Sequence, residues 1–285
     1  MRTLSPLRLW SIVRGTLGRL PAAPPTASML DRYVTSGPSP ENALDIFKGE
    51  WTSKLPGEWA RLQAGHIPLF EDNRVQWGIE QVGGVAGKSV LELGPLEGGH
   101  TYMLERNGAA SIEAVEAHTR GYLKCLVVKE LLELRRARFL CGDFVQHLRT
   151  APGPFDFCLA SGVLYHMRDP VELLTLVAHA APQVYLWTHY YDEDLIRRNA
   201  AISGRFTGQA RADGSGFPHT LYRHEYQESL TFDRFCGGTA PFSQWMSRGD
   251  ILACLQHLGW TDIRINFEVP DHPNGPCFAV VAMRG

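Results

Sequence analysis

The chain has 285 residues, 44% of them hydrophobic and 20% charged, with a formal net charge of -2. That composition and length suit one large globular domain with insertions, or two small ones. The near-neutral charge excludes a broad nucleic-acid-binding surface, and no apolar run approaches the ~20 residues a membrane-spanning helix needs. Six cysteines are scattered without a C-x-x-C pair, which points to a reducing, cytoplasmic setting with neither a disulfide framework nor structural zinc.

Residues 1–40 stand apart as a leader. Arg2, Arg8, Arg14 and Arg19 precede the first acid, Asp31, and Leu4, Leu7, Trp10 and Ile12 fit one face of a short helix that Pro21 would end. The apolar centre is too short for a signal peptide. Two readings stay open: a weak peripheral contact of residues 1–20 with an anionic membrane or partner, or a loosely held terminus. Residues 41–82, with Trp51, Trp59, Phe70 and Trp77, read as a helical preamble that packs on the domain beginning near residue 88.

From residue 88 the pattern changes. Short β-branched runs at 89–93, 112–116, 138–141, 155–160 and 183–188 alternate with helical stretches at 101–107, 121–134 and 170–180. This alternation predicts an α/β sheet. Residues 41–189 therefore form the preamble and core. Residues 190–245, rich in Gly, Tyr, His, Phe and Arg, break the rhythm and read as an insert over a substrate. The rhythm returns over 246–285, with Ser247 as a helix N-cap and strands at 261–269 and 277–283.

The stretch that carries chemistry is "VLELGPLEGGH". A buried strand ends in Glu92 and Leu93. Gly94, Pro95, Gly98 and Gly99 then turn the backbone toward a helix whose free N–H groups face the same spot. The G-x-G-x-x-G dinucleotide fingerprint is not met, because Leu96 stands at the middle glycine, and Glu97 would repel a pyrophosphate. Glu92 and Glu97 suit a ligand with positive charge, such as an amino group and a sulfonium. Glu116 closes the second strand, 22 residues after Gly94, where an acid accepts hydrogen bonds from ribose hydroxyls. Asp143 comes after the third strand and suits an exocyclic adenine amine, with Phe144 beside the ring. The fourth strand ends at Ser161-Gly162.

These elements resemble the class I S-adenosylmethionine-dependent methyltransferases. The family pattern is an acid followed by a glycine loop, an acid ending strand two, an acid after strand three and a variable loop after strand four. It lies here on Glu92-Leu-Gly94-Pro-Leu-Glu-Gly98, Glu116, Gly142-Asp143 and Ala160-Ser161-Gly162. The resemblance implies an α/β, Rossmann-like seven-stranded methyltransferase sheet with helices on both faces, a last strand antiparallel to the others, an N-terminal helical extension and an insert after strand five. It implies S-adenosylmethionine as cofactor, and Glu92, Gly94, Pro95, Gly98, Glu116, Asp143, Phe144, Ser161 and Gly162 as its binding residues. "SGVLYHMRDPVELL" also resembles the corresponding stretch of transferases of the tRNA-wobble-uridine carboxymethyl type.

Methyl transfer to a hydroxyl or amine needs alignment and a proton acceptor. His189, His166 and Tyr165 lie near the carboxyl ends of strands four and five and are the catalytic candidates. Tyr190, His219, Tyr222 and Arg223 are the substrate-binding candidates. His189, Asp192 and Asp194 are compatible with magnesium, but acidic loops are more often solvated, so no metal is assigned. The expected activity is O- or N-methylation of a small molecule or biosynthetic intermediate. A tRNA-modifying transferase and a non-catalytic cofactor-binding subunit are the alternatives. No oligomer is read from the sequence.

Overall fold

Ser89–Leu93 forms β1, Ser111–Glu116 β2, Ala137–Cys141 β3, Phe157–Ser161 β4 and Gln183–His189 β5. In this computed structural model, which describes residues 33–62, 64–232 and 237–285, all five strands run parallel. The leader helix expected within residues 1–20 and Cys236 lie outside the described residues.

The insert supplies a second sheet. Phe206–Gly214 (β6), Phe217–Glu225 (β7) and Phe242–Met246 (β8) pair antiparallel in that order. Asp262–Val269 (β9) and Cys277–Met283 (β10) complete the main sheet, whose order is β3-β2-β1-β4-β5-β10-β9. β10 runs antiparallel to both of its neighbours, as the family resemblance implies.

Strand residues alternate between two cores because successive side chains point to opposite faces. Leu91, Leu93, Val115, Cys158, Ala160 and Leu186 pack on one face. There they meet α5 (Phe144–Arg149), α6 (Pro170–Ala180) and α8 (Arg248–His257). Val90, Ile112, Ala114, Phe157, Leu159 and Tyr185 pack on the other, against α2 (Asn73–Gln81), α3 (Gly99–Arg106) and α4 (Thr119–Leu131). Of two short helices, α1 (Pro40–Asp45) places Leu44 in the second core, and α7 (Glu193–Arg198) packs Leu195 against the first and places Ile196 in a small cluster with Ile202 and Trp245. The described residues fall into two units, divided between Asn42 and Ala43. In the first, Asn42 donates to the Gly37 carbonyl at 2.7 Å.

Helix starts are set by local chemistry. Asp143, Asp169 and Ser247 each accept backbone N–H groups at the head of the next helix, so α5, α6 and α8 begin where those caps stand. α4 begins two residues before its expected start because His118 Nδ1 accepts from Gly121 N at 3.1 Å. α5 has no counterpart among the expected helices; six residues leave too little periodicity to read.

The glycine loop is built on three positive φ angles, +65° at Gly94, +57° at Leu96 and +77° at Gly98. Leu96 thus takes the left-handed conformation a glycine would supply, at a cost of ~1–2 kcal/mol. Two buried carboxylates anchor the loop. Glu97 does not face a ligand, contrary to expectation. It is 1% exposed, accepts from Thr52 N and Ser53 N, and pairs with Lys124 Nζ at 2.9 Å. It therefore ties the loop to the preamble and to α4. Glu92 is fully buried in β1 and accepts from Thr101 Oγ1 at 2.5 Å, while its Oε1 has no partner. Burial pushes Glu92 up to about 8, with the nearby Glu116 adding to the rise, so it is protonated at neutral pH.

Removing the cation with Lys124→Met leaves Glu97 buried and uncompensated. The expected loss is ~3–5 kcal/mol in denaturant unfolding, partly recovered when Glu97→Gln is added. For Glu92 the folded chain holds a proton that the unfolded chain releases above pH 4.5, so stability falls as pH rises from 4.5 to about 8. Glu92→Gln removes this loss. Its melting temperature relative to the parent should increase between pH 5 and pH 8; a constant difference would refute a protonated Glu92.

Candidate functional site

The carboxyl ends of β1, β2, β4 and β5 open into a cavity of about 830 Å³. It sits where the chain switches direction about β1 and β4, the place at which open α/β sheets bind ligands. Gly94, Pro95, Glu116, Asp143, Phe144, Ser161, Gly162, Tyr165, His166 and His189 all line it.

Glu116 is the best-defined of these. Its Oε2 accepts from Leu96 N at 2.9 Å and its Oε1 from His118 N at 2.7 Å. Burial pushes its pKa up, against the backbone N–H groups of His118 and Leu96 that favour the charged form. Each oxygen retains a lone pair, so the carboxylate can accept from a vicinal diol in the cavity. Asp143 Oδ1 caps α5 through Val145 N at 2.8 Å, and its other oxygen keeps its acceptor capacity. Phe144, Val145 and Gln146 form the wall beside it.

The opposite end is aromatic. Tyr165 lies between His166 and His189, with ring centroids 4.1 and 4.6 Å away. His189 also stacks on Trp245 at 5.3 Å. Its Nδ1 donates to the Gly275 carbonyl at 2.7 Å, which leaves the lone pair on Nε2. Burial holds His189 down to about 4, and it holds His166 down to about 3. Both rings are neutral at pH 7. His166 Nδ1 shares a hydrogen bond with Tyr226 Oη at 2.8 Å.

Six expected site residues do not reach the cavity. Glu92 lies beneath the loop inside β1. Gly98 forms the N-cap of α3 and faces Phe139 and Val128. Tyr190 comes directly after His189 at the strand end and turns to the other face, against Phe278. His219 is buried on β7, with Nδ1 on the Phe217 carbonyl at 2.8 Å. Tyr222 stacks on Tyr191 at 3.7 Å, and Arg223 pairs with Glu225 and covers the Phe242 ring. The last three lie on β7 of the small sheet. Asp192 Oδ1 caps α7 through Leu195 N at 3.0 Å.

Other lining residues carry no signal in the sequence. Ile67, Leu69 and Arg74 come from the preamble, Trp187 from β5, and His272 and Asn274 from the β9–β10 connection. Arg74 bonds Asp72 through Nε and Nη2 and lies 4.5 Å over the Trp187 ring. Burial opposes ionisation of Asp72, but the bonds from His100 and Arg74 prevail and hold it well below the usual carboxylate range. Nothing local in the chain marks these residues, since long-range packing brings them in.

No protein-family model matches the chain. Among curated proteins, the tRNA U34 carboxymethyltransferase of Alcanivorax borkumensis is 23% identical over 162 residues, 55% of this chain and 50% of that protein. The match therefore spans about half the length of that relative. Among solved structures, the N-terminal domain of EvdMO1 in the presence of SAH and D-fucose is 24% identical, with a TM-score of 0.65 over 86% of this chain and 95% of that one. The same domain with SAH bound is 22% identical, with a TM-score of 0.66 over the same shares. Strand order and these neighbours together show that the chain has the fold of the class I S-adenosylmethionine-dependent methyltransferases.

Proposed function

We propose that the protein is an S-adenosylmethionine-dependent methyltransferase that methylates a hydroxyl or amine of a small molecule or biosynthetic intermediate. One observation supports it above the others: the Glu116 carboxylate, fixed by Leu96 N and His118 N, faces the cavity at the tip of β2. With Asp143 as a second acceptor across the same cavity, the residues present fit an adenosyl group. The fold neighbours bound to SAH support the same choice.

Bound there, S-adenosylmethionine supplies a methyl group activated by its sulfonium. The chain contributes position and a proton acceptor. Trp187, Tyr165 and the preamble side chains Ile67 and Leu69 give the acceptor end an apolar wall that excludes water. The neutral His189 presents Nε2 and takes the proton of the acceptor hydroxyl or amine as its heteroatom gains the methyl carbon. Five described cysteines are unpaired thiols, in keeping with a reducing compartment such as the cytoplasm.

The alignment with a tRNA carboxymethyltransferase favours a second reading. A carboxymethyl donor carries an added carboxylate and calls for a cation at the reacting end. Arg74, at that end, is already bonded to Asp72. Methyl incorporation from S-adenosylmethionine assayed against a metabolite extract, and carboxymethyl incorporation from the carboxylated donor assayed against unmodified tRNA, separate the two readings, and incorporation in neither assay would favour a non-catalytic subunit.

Glu116→Ala should weaken SAH binding by roughly 1–3 kcal/mol in calorimetry, the loss of hydrogen bonds to a charged acceptor. Unchanged affinity would remove the ribose assignment. His189→Ala should lower kcat far more than it changes SAH affinity. Because the folded chain keeps His166 and His189 neutral while the unfolded chain protonates them below about pH 6.5, their contribution to stability should fall as pH drops from 6.5 toward 4. The melting temperature of a His166→Gln variant relative to the parent isolates this from the opposing contribution of Glu92 and should rise from pH 7 to pH 4.5; a constant difference would contradict it.

A further inference from the structure

The acceptor end of the cavity holds a group of side chains that the methyl-transfer reading does not require. His189 closes β5 and Cys277 opens β10, directly opposite each other in the antiparallel register. Directly opposed residues project to the same face. His272 enters from the connection just before β10. One ligand atom from each of the three lies within 4.8 Å of the others. A single point therefore lies no more than about 2.8 Å from all three, and zinc bonds of about 2.0–2.3 Å need inward shifts of at most about 0.8 Å.

We propose that His189, His272 and Cys277 form a binding site for a zinc-class transition-metal ion. Two imidazoles and a thiolate are the donor set of a three-coordinate protein site that keeps a fourth position open. The supporting shell is already in place. His189 donates Nδ1–H to the Gly275 carbonyl at 2.7 Å, which fixes its tautomer and leaves Nε2 as the lone pair that can take an ion. The Trp245 stack and the Tyr165 edge hold the ring in that orientation. His189 and His272 line the cavity and Cys277 is buried behind them, so the open position faces the acceptor.

The charges around the site are compatible with a dication. Arg74 lies nearby, but its guanidinium is matched by the Asp72 carboxylate; Asp271 adds negative charge, while Glu268 is paired with Arg248. Binding converts the Cys277 thiol to a thiolate and releases one proton to solvent; no oxidation is involved. A hydroxyl on the open position would be acidified by the ion. In that form His189 is a ligand, and the acceptor's proton passes to His166, the other neutral imidazole of the cavity.

The test is metal binding by the full chain after chelator treatment, and it does not depend on methyl transfer. Zinc should remain bound at one equivalent after gel filtration. Cobalt(II) should give visible ligand-field bands of a tetrahedral ion together with a near-ultraviolet thiolate-to-metal band. Cys277→Ser should abolish the thiolate band. His272→Ala, on a half-buried loop where loss of the fold is not expected, should weaken cobalt binding by at least roughly tenfold. Less than stoichiometric zinc, or a cobalt spectrum unchanged by either substitution, would overturn the proposal. SAH calorimetry on the metal-free chain reports separately on the cofactor reading.

Discussion

A single carboxylate organises the ligand end of the cavity. Glu116 ends β2 and takes one N–H from Leu96 in the loop after β1 and one from His118 in the turn before α4. These segments leave different strands, and the shared acceptor pairs both of their N–H groups. Hydrogen bonds to a charged acceptor in a partly buried site are stronger than neutral ones. They hold Leu96 in its left-handed conformation and fix the cavity wall before any ligand arrives. The same carboxylate is thus both brace and recognition group.

A second set of constraints works from below the loop. Glu97 draws the backbone of Thr52 and Ser53 and the ammonium of Lys124 together, and Asp72 joins Arg74 to His100. The preamble is consequently part of the site, because it carries Ile67, Leu69 and Arg74 to the cavity through these bonds. An acid inside a glycine loop looks like a ligand contact when only its neighbours in the chain are known. Its direction depends on which cation is buried nearby.

The small sheet contributes walls and positioning. Gln244 N donates to the Met167 carbonyl, Trp245 stacks on His189, and Tyr226 bonds His166. These contacts set the two imidazoles in place, while the exposed polar residues of β6 and β7 serve the sheet itself. The insert gives little signal as strands. β6 is nearly exposed throughout, so it lacks the apolar alternation that marks a half-buried strand. Its hairpin turn, Ser215-Gly216 with φ of 54° and 70°, does carry a recognisable Asp-Gly-Ser-Gly motif.

The sequence by itself determined the succession of strands and helices along the main sheet, the glycine loop and the acids at Glu116 and Asp143, while the antiparallel last strand came only through the family resemblance. Buried parallel strands must be apolar runs, helices need caps, and a loop that turns toward a ligand needs left-handed residues, all of which are local properties. Tertiary structure alone decided where the other polar residues point. Tyr190 is one residue from His189 yet faces the opposite core, since strand alternation reverses it. His272 and Cys277 meet His189 only because β10 pairs with β5, a contact between segments far apart in the chain. Such long-range register leaves no periodic trace, so its consequences for the acceptor end are visible only in the folded chain.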